Sequence, residues 1–231
     1  MEITAIVPAA GRGSRLRNKA DKVFATLDKK PILFHTLKNL EETKEIRDII
    51  LVVSKRSLNY TRDIFLKRFP FPKIEKVVVG GKTRAESVWN GLSAVRADTK
   101  FVFIHDGARP FVDADSLERV IKGAEKFGAA ILGIPIPSTV KKVKKFCVVE
   151  TVERKFLWQI QTPQIFRKSL LINCYRKAMR AGFKPTDDAQ VLEHYGHKVR
   201  VIEGSPLNIK ITTPEDLVLA KAILQIKRSF I

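Results

Sequence analysis

The sequence predicts an α/β fold, a Rossmann-like, doubly wound and mostly parallel sheet with a protruding β-arm. Three observations carry this prediction. Short apolar runs, such as residues 3–7 and 101–104, are typical of strands buried on both faces of a parallel sheet. Segments with helical periodicity separate these runs. The stretch 137–161 differs, because β-prone residues there are interleaved with charged ones.

Five apolar runs are predicted strands, and a sixth follows near the end of the chain. They are residues 3–7, 49–53, 77–79, 101–104, 129–134 and 198–203. Periodicity predicts helices over residues 31–40, 84–95, 115–127, 168–180, 187–195 and 213–226. Asp115 and Ser116 are the expected caps of the third helix, and Thr213 with Asp216 resembles a capping box.

Length and composition indicate an ordinary folded protein. With 231 residues, 45% hydrophobic and 29% charged, we expect one domain over 1–231, with an arm at about 137–161. No apolar run approaches the roughly 20 residues that span a bilayer. The start of the chain lacks a basic leader, so no signal peptide is predicted. Two cysteines, Cys147 and Cys174, favour reduced thiols in the cytoplasm.

The formal charge of +19 has two explanations. A basic nucleic-acid-binding protein would attract phosphate backbones, whereas a cationic enzyme would attract polyphosphate substrates. Lys and Arg are scattered along every predicted helix, and no known nucleic-acid-binding module is visible. The densest cluster, residues 140–145, alternates like an exposed strand. We therefore favour the enzyme and keep nucleic-acid binding as the alternative from another class.

Ligands of open α/β sheets bind beyond the carboxyl ends of the strands, which directs attention to the loop after the first strand. Residues 8–16 read PAAGRGSRL, and their small side chains let backbone N–H groups approach phosphates. Leu16 occupies the third glycine position of a dinucleotide-binding fingerprint, so that motif is excluded. A tight turn is the alternative for this loop alone. Together with the downstream Lys22, however, it resembles the sugar-phosphate nucleotidyltransferases.

A second constellation, His105 and Asp106, ends the fourth predicted strand. Asp106 could hold Mg²⁺ through oxygen, as triphosphate chemistry requires, or it could simply cap a loop. We expect His105 to pack or hydrogen-bond locally rather than to act as a base. The nucleophile would be an already ionised phosphate, which needs no general base.

Further motifs resemble the methylerythritol phosphate cytidylyltransferase family, in family order and over almost the whole chain. They are HDGARP at 105–110, GGKTRAESV at 80–88, LWQIQTPQ at 157–164, TDD at 186–188 and NIKIT at 208–212. The resemblance implies transfer of a cytidylyl group from CTP to 2-C-methyl-D-erythritol 4-phosphate, with release of pyrophosphate. A ribitol-5-phosphate cytidylyltransferase is the alternative within the enzyme class. A catalytically dead homologue is disfavoured, because Arg15, Lys22, Asp106 and Lys210 are all present.

The resemblance also implies roles for individual residues. The catalytic cations would be Arg15, Lys22 and Lys210. The nucleotide would contact Ala9, Ala10, Gly11, Gly13, Gly81, Ser87 and Asp106, and Asp106 would also bind the metal. The acceptor would contact Arg109, Thr139, Arg154, Thr162, Thr186 and Lys210. Thr139 and Arg154 lie on the predicted arm, so a homodimer with exchanged arms is implied.

The chain departs from the family pattern at three positions. Relatives usually have Pro-Lys-Gln around the first-loop lysine, whereas this chain has Asp21-Lys22-Val23. Lys82 stands at a position that is often acidic, and Gly107 replaces a commoner alanine. We further expect Lys210 to project from a strand, because it lies between two isoleucines.

Overall fold

A seven-stranded sheet forms the centre of the computed structural model, which describes residues 2–11 and 21–229. Its strands lie in the order β11-β7-β10-β6-β1-β4-β5. They are β1 (Ile3–Pro8), β4 (Ile46–Val53), β5 (Ile74–Val79), β6 (Phe101–Ile104), β7 (Ala129–Pro135), β10 (Trp158–Arg167) and β11 (Arg200–Glu203). All neighbours pair in parallel except β10, which is antiparallel to β6 and β7. The predicted α/β, mostly parallel fold is confirmed.

Helices cover both faces of this sheet. They are α1 (Ile32–Glu42), α2 (Leu58–Tyr60), α3 (Leu66–Arg68), α4 (Arg84–Ala94), α5 (Ala114–Phe127), α6 (Lys168–Arg180), α7 (Asp188–His194) and α8 (Pro214–Ser229). A π-helical turn, Thr61–Phe65, joins α2 to α3, and 3-10 turns occupy Lys22–Phe24 and Lys55–Ser57. Two short ladders complete the structure, β2 (Thr26–Leu27) with β3 (Lys30–Pro31), and β8 (Val140–Lys144) with β9 (Cys147–Val152).

The unbroken apolar runs arise because each central strand is buried on both faces. Along β1, Ala5 and Val7 join the core beneath α1 and α5, whereas Ile6 joins the core beneath α4 and α6. A third cluster packs α8 against Ile32 of α1, Phe111 of the loop after β6, and Ala25, Leu27 and Ile211. Successive side chains of a strand point to opposite faces, so a strand covered on both sides shows no polar alternation.

The arm is shorter than predicted. Its hairpin consists of β8 and β9, and by Trp158 the chain has re-entered the main sheet, where it pairs with Pro135 of β7. Strand β10 was not predicted at all. It contains a proline and three glutamines, and its register shifts between Ile160 and Gln164. The unbroken apolar run that marks the other strands is therefore interrupted in β10.

The start of α5 corrects a second prediction. Its N-cap is Asp113, whose Oδ1 accepts a hydrogen bond from the Ser116 N–H at 2.7 Å. Asp115 instead lies within the first turn, where it pairs with Arg119 at 3.1 Å. At α8, by contrast, the predicted capping box is confirmed. Asp216 N–H donates to Thr213 Oγ1 at 3.3 Å, and Thr213 N–H donates to Asp216 Oδ2 at 2.9 Å.

Among residues 2–11 and 21–229, none of the helices combines the length and apolar character needed to cross a membrane.

The cap assignment predicts unequal effects of two neighbouring substitutions. Asp113→Ala should lower the free energy of unfolding by about 1 kcal/mol, because it leaves orphan N–H groups in the first turn of α5. Asp115→Ala should cost less than about 0.5 kcal/mol, since its ion pair is exposed. Urea unfolding at constant m-value measures both. Equal losses, or a larger loss for Asp115→Ala, would contradict the assignment.

Candidate active site

The loops after β1, β4, β5 and β6 line a cleft of about 1230 Å³ at the carboxyl edge of the sheet. Strand β1 pairs with β4 on one side and with β6 on the other, so the chain reverses its direction of winding at β1. Such a switch point is where open α/β sheets bind ligands. Nineteen of the described residues line the cleft, among them Ala9, Ala10, Gly11, Lys22, Gly81, Ser87, Asp106 and Lys210. Gly13 and Arg15, also predicted for this site, lie outside the described residues.

One wall of the cleft is fixed by close packing of small residues. A Cβ atom at Gly80 would lie 2.7 Å from Ala10 Cβ and 2.8 Å from Ser87 Oγ. Gly81 N–H donates to Ser87 Oγ at 3.1 Å, and that hydroxyl donates to the Thr83 carbonyl at 2.9 Å. Any larger residue at position 80 would therefore displace the loop after β1 from the start of α4.

Asp106 lies at the centre of the site, buried and surrounded by three cations. Its Oδ2 lies 2.7 Å from Lys210 Nζ and 3.7 Å from Arg109 Nε, and its Oδ1 lies 3.2 Å from Arg84 Nε. Burial alone would raise the pKa of Asp106, but the charges of Arg84, Lys210 and Arg109 outweigh it and hold the pKa well below its usual range. The carboxylate therefore stays ionised at every physiological pH.

Arg84 is a site residue to which sequence reasoning assigned no role. Besides Asp106, it pairs through Nη2 with Oδ2 of the fully buried Asp188 at 2.7 Å. Asp188 Oδ1 accepts a hydrogen bond from the buried Tyr175 hydroxyl at 2.5 Å. Burial opposes the charge of Arg84, yet Asp188 and Asp106 raise its pKa above the ordinary arginine value. The signal available in the sequence was the position of Arg84 inside the 80–88 motif.

His105 is buried with both ring nitrogens engaged, as expected for a local hydrogen-bonding role. Nε2 lies 2.9 Å from the Arg109 carbonyl, which can only accept, so Nε2 carries the proton. Nδ1 then accepts from the Thr162 hydroxyl at 3.0 Å, and Thr162 Oγ1 itself accepts from Asp106 N–H at 3.1 Å. Burial lowers the pKa of His105 to about 4, so the ring is neutral. Its geometry holds the turn after β6 and leaves no nitrogen for general-base catalysis.

A second cavity of about 410 Å³ adjoins the cleft on the side of β10 and α7. Four predicted acceptor residues line it, namely Arg109, Thr162, Thr186 and Lys210. Arg84, Asp106 and Lys210 line both cavities. The two spaces therefore meet at the buried carboxylate and its cations.

The position of Lys210 differs from the prediction, because residues 208–212 form no strand. This segment is held instead by Ile211 N–H, which donates to the Ala108 carbonyl at 2.9 Å. Arg109 Nη1 also donates to the Asn208 carbonyl at 2.7 Å. These contacts, made across about 100 residues of sequence, bring Lys210 to Asp106.

Thr139 and Arg154 flank the hairpin, next to the start of β8 and the end of β9. Neither is among the described residues that line the two cavities. Arg154 Nη1 donates to the Pro137 carbonyl at the base of the hairpin.

Comparison with known proteins agrees with this geometry. Residues 3–226 match the family model described as "IspD: 2-C-methyl-D-erythritol 4-phosphate cytidylyltransferase". The chain belongs to this family. It is 41% identical to the enzyme of that name from Caldanaerobacter subterraneus over 97% of this chain and 100% of the relative. It is 43% identical to that from Clostridium novyi over 96% of both chains.

A solved structure from Anaerococcus prevotii, titled 4-diphosphocytidyl-2C-methyl-D-erythritol synthase, superposes with a TM-score of 0.84 at 35% identity and covers 96% of both chains. Family membership makes this chain a cytidylyltransferase, and it does not favour the ribitol phosphate alternative.

The network around Arg84 predicts a pH-dependent loss of stability. Arg84→Gln should lower the free energy of unfolding by about 3 kcal/mol at pH 7, because it leaves two buried carboxylates without their shared cation. In the wild type, the depressed pKa of Asp106 contributes stability that is complete above the unfolded pKa of about 4 and is lost as pH falls further. The variant has less of this contribution to lose, so the difference should shrink on acidification from pH 7 to about pH 3.

Urea unfolding across that pH range measures the difference, with Arg119→Gln on the surface of α5 as the matched control. The control should cost less than about 0.5 kcal/mol, because its partner Asp115 is exposed. A loss for Arg84→Gln that stays constant between pH 7 and pH 3 would contradict the analysis.

Proposed function

We propose that this chain transfers the cytidylyl group of CTP to 2-C-methyl-D-erythritol 4-phosphate. The products are 4-diphosphocytidyl-2-C-methyl-D-erythritol and pyrophosphate, in the non-mevalonate synthesis of isoprenoid precursors. The observation that carries this proposal is the junction of two cavities at Asp106, Arg84 and Lys210. The larger cavity has room for a nucleoside triphosphate, and the smaller one, with Arg109 beside it, suits a phosphorylated polyol.

On the nucleotide side, Ala9, Ala10, Gly11, Gly13 and Gly81 would let the backbone approach the phosphates and the base closely. Ser87 would contact cytosine and Asp106 the ribose. Arg15 and Lys22 would bind the phosphate chain. The side chain of Lys22 already lies over Gly11, since a Cβ atom at that glycine would be 3.8 Å from Lys22 Cε.

In the reaction, an oxygen of the acceptor phosphate attacks the α-phosphorus of CTP in line. The bond from the α-phosphorus to the oxygen that bridges to the β-phosphate breaks, and its electron pair leaves with pyrophosphate. The attacking phosphate is already ionised, because its second pKa is about 6. The main obstacle is repulsion between the two anions, which Arg15, Lys22 and Lys210 would reduce while stabilising the charge of the transition state.

A divalent cation, most simply Mg²⁺, would assist by neutralising phosphate oxygens. The described residues that line both cavities offer this ion one carboxylate, that of Asp106, rather than a complete set of protein ligands. The described residues contain no group of three or more His, Cys, Asp or Glu side chains that could hold a metal. Mg²⁺ is commonly bound through one or two carboxylates together with substrate phosphates, so Asp106 would serve as a single protein ligand. It would have to loosen its contact with Lys210 or Arg84 to do so.

We also propose that the active enzyme is a homodimer that exchanges its hairpin arms. Five large apolar side chains on or beside the hairpin are exposed, namely Val143, Phe146, Val148, Val149 and Phe156. Exposed apolar side chains gathered on one protruding element are typical of protein interfaces. A partner's arm would carry Thr139 and Arg154 to the acceptor phosphate, since neither residue is among the described residues that line a cavity of its own chain.

A cytoplasmic location is proposed on the chemistry of the substrates. CTP is a cytoplasmic metabolite, and both cysteines are present as free thiols. The charge of +19 then serves polyanionic substrates rather than nucleic acid.

Pyrophosphate release tests the proposed function. With CTP and Mg²⁺, the purified chain should release pyrophosphate rapidly in the presence of 2-C-methyl-D-erythritol 4-phosphate. With ribitol 5-phosphate, kcat/KM should be at least about 100-fold lower, because a polar acceptor site penalises hydroxyl groups that it cannot pair. Equal or greater turnover with ribitol 5-phosphate would contradict the acceptor assignment. Tight, salt-sensitive RNA binding without pyrophosphate release would favour the nucleic-acid alternative.

Subunit complementation tests the exchanged arms. Lys22→Ala and Arg154→Ala should each lower kcat, by roughly 10²- to 10³-fold for Lys22→Ala, since each removes a cation that faces the reacting phosphates. When both chains are co-expressed, a hybrid dimer contains one site with an intact Lys22 and an intact partner arm. Random assembly should therefore restore about a quarter of wild-type activity. No recovery in isolated hybrids would show that each arm serves its own chain.

A further inference from the structure

The side chain of Asp21 links two segments whose neighbouring residues line the nucleotide cleft. It is completely buried, although it immediately precedes Lys22. Its Oδ1 accepts from Arg56, with Nε at 3.0 Å and Nη2 closer still. Its Oδ2 accepts from the hydroxyls of Ser54, at 2.5 Å, and of Ser57. One carboxylate therefore receives four donors from the loop after β4.

These contacts replace the local role that an aspartate at this position would ordinarily have. Asp21 is the N-cap residue of the 3-10 turn Lys22–Phe24, yet its side chain makes no capping hydrogen bond to that turn. Within the turn, Phe24 N–H donates to the Asp21 carbonyl at 2.9 Å and Ala25 N–H donates to the Lys22 carbonyl at 3.1 Å. Val23 is buried in the core, and the Phe24 ring packs edge-on against Tyr60 and Phe65. The side chain of Asp21 adds a polar anchor at the start of the turn, next to Lys22.

The backbone of Asp21 has φ near −60°, a value that proline also adopts. A proline at this position would restrict the turn through its ring, and an anchored side chain can supply the same restriction. A buried carboxylate is stable only with full hydrogen bonding, and Arg56 and the two serines provide it.

We propose that Asp21 is a positioning residue for the transfer reaction, which holds Lys22 at the phosphate chain of CTP by clamping its turn to Ser54, Arg56 and Ser57. This inference rests on the proposed function. Lys22, Ser54 and Arg56 line the same cleft, so the clamp joins two parts of its lining. Asp21 does not touch the substrate, because its carboxylate is buried beneath Arg56. Its effect must therefore pass through Lys22.

A double-mutant cycle of steady-state kinetics tests this dependence. Asp21→Asn should lower kcat by about 10- to 100-fold, because a misplacement of about 1 Å can cost about 100-fold. In an enzyme that already carries Lys22→Ala, the same substitution should cost less than about twofold, since the group it positions is gone. The proposal would be overturned if the losses in kcat from the two substitutions multiply in the double variant. It would also be overturned if Asp21→Asn alone leaves kcat within about twofold of wild type.

Arg56 and a remote ion pair provide controls. Arg56→Ala should resemble Asp21→Asn, and the two together should be no worse than either alone by more than about twofold. If the losses in kcat from Arg56→Ala and Asp21→Asn multiply in the double variant, Arg56 acts independently of Asp21 by contacting the nucleotide directly. That result would also overturn the clamp. Arg47 and Asp98 form a two-bond pair, at 3.0 and 3.1 Å, near the amino ends of β4 and β6. Asp98→Asn should leave kcat within about twofold of wild type.

Hydrogen exchange gives a readout that does not depend on turnover. The amides of Phe24 and Ala25 close the turn, so Asp21→Asn should accelerate their exchange by about 10-fold, the order expected when a charge-assisted network is weakened. Asp98→Asn should not. Unchanged exchange would overturn the clamp even if the enzyme is active. Accelerated exchange in a chain that releases no pyrophosphate would retain the clamp and reject the proposed function.

Discussion

The structure of the site depends on one buried carboxylate, that of Asp106, and on the three cations that stabilise it. A charge at the end of a buried strand would be costly without partners, and Arg84, Arg109 and Lys210 supply them from three separate segments of the chain. Each cation is anchored in turn. Arg84 is bound by Asp188, Arg109 donates to the Asn208 carbonyl, and the segment of Lys210 is tied to Ala108. The carboxylate thereby brings α4, the loop after β6 and the segment before α8 to one point.

This arrangement has a consequence for ligand binding. Three cations and the carboxylates of Asp106 and Asp188 leave a single net positive charge at the junction. Two phosphorylated substrates carry several negative charges, so the junction alone cannot neutralise them. Lys210 is the cation best placed to leave its ion pair and contact a phosphate, because its side chain is 35% exposed, compared with 10% for Arg109. On the proposed mechanism, Lys22 and a divalent cation provide the remaining positive charge.

Sequence patterns predicted the elements that are buried uniformly and missed those held by polar contacts. Strand β1 was visible as an unbroken apolar run and helix α4 by its apolar periodicity, because both patterns report burial directly. Strand β10 was not, since its glutamines lie among the buried residues and bind distant partners, such as Asp187 and the Ser205 carbonyl. For the same reason the cap of α5 was misplaced by two residues. Both candidates, Asp113 and Asp115, are aspartates, and only the backbone conformation of the folded chain shows which one is the N-cap.

The candidate site was predicted in part for a similar reason. Motif resemblance named Asp106, Arg109 and Lys210, and these residues do lie together. It named Arg84 without a role, because a bridge between two carboxylates is visible only in three dimensions. It also marked Asp21 as a departure from the family pattern, and the four donors around that side chain explain how the position tolerates an acidic residue.

The central claim is that two cavities meet at Asp106 so that two phosphates can react there. A crystal structure of the full chain with a non-hydrolysable CTP analogue, Mg²⁺ and 2-C-methyl-D-erythritol 4-phosphate tests it most directly. In this complex we expect an acceptor phosphate oxygen within about 3.5 Å of the α-phosphorus, in line with the leaving oxygen and beside Lys210. Ligands that occupy separate regions, with the α-phosphorus far from Lys210 and Asp106, would contradict it.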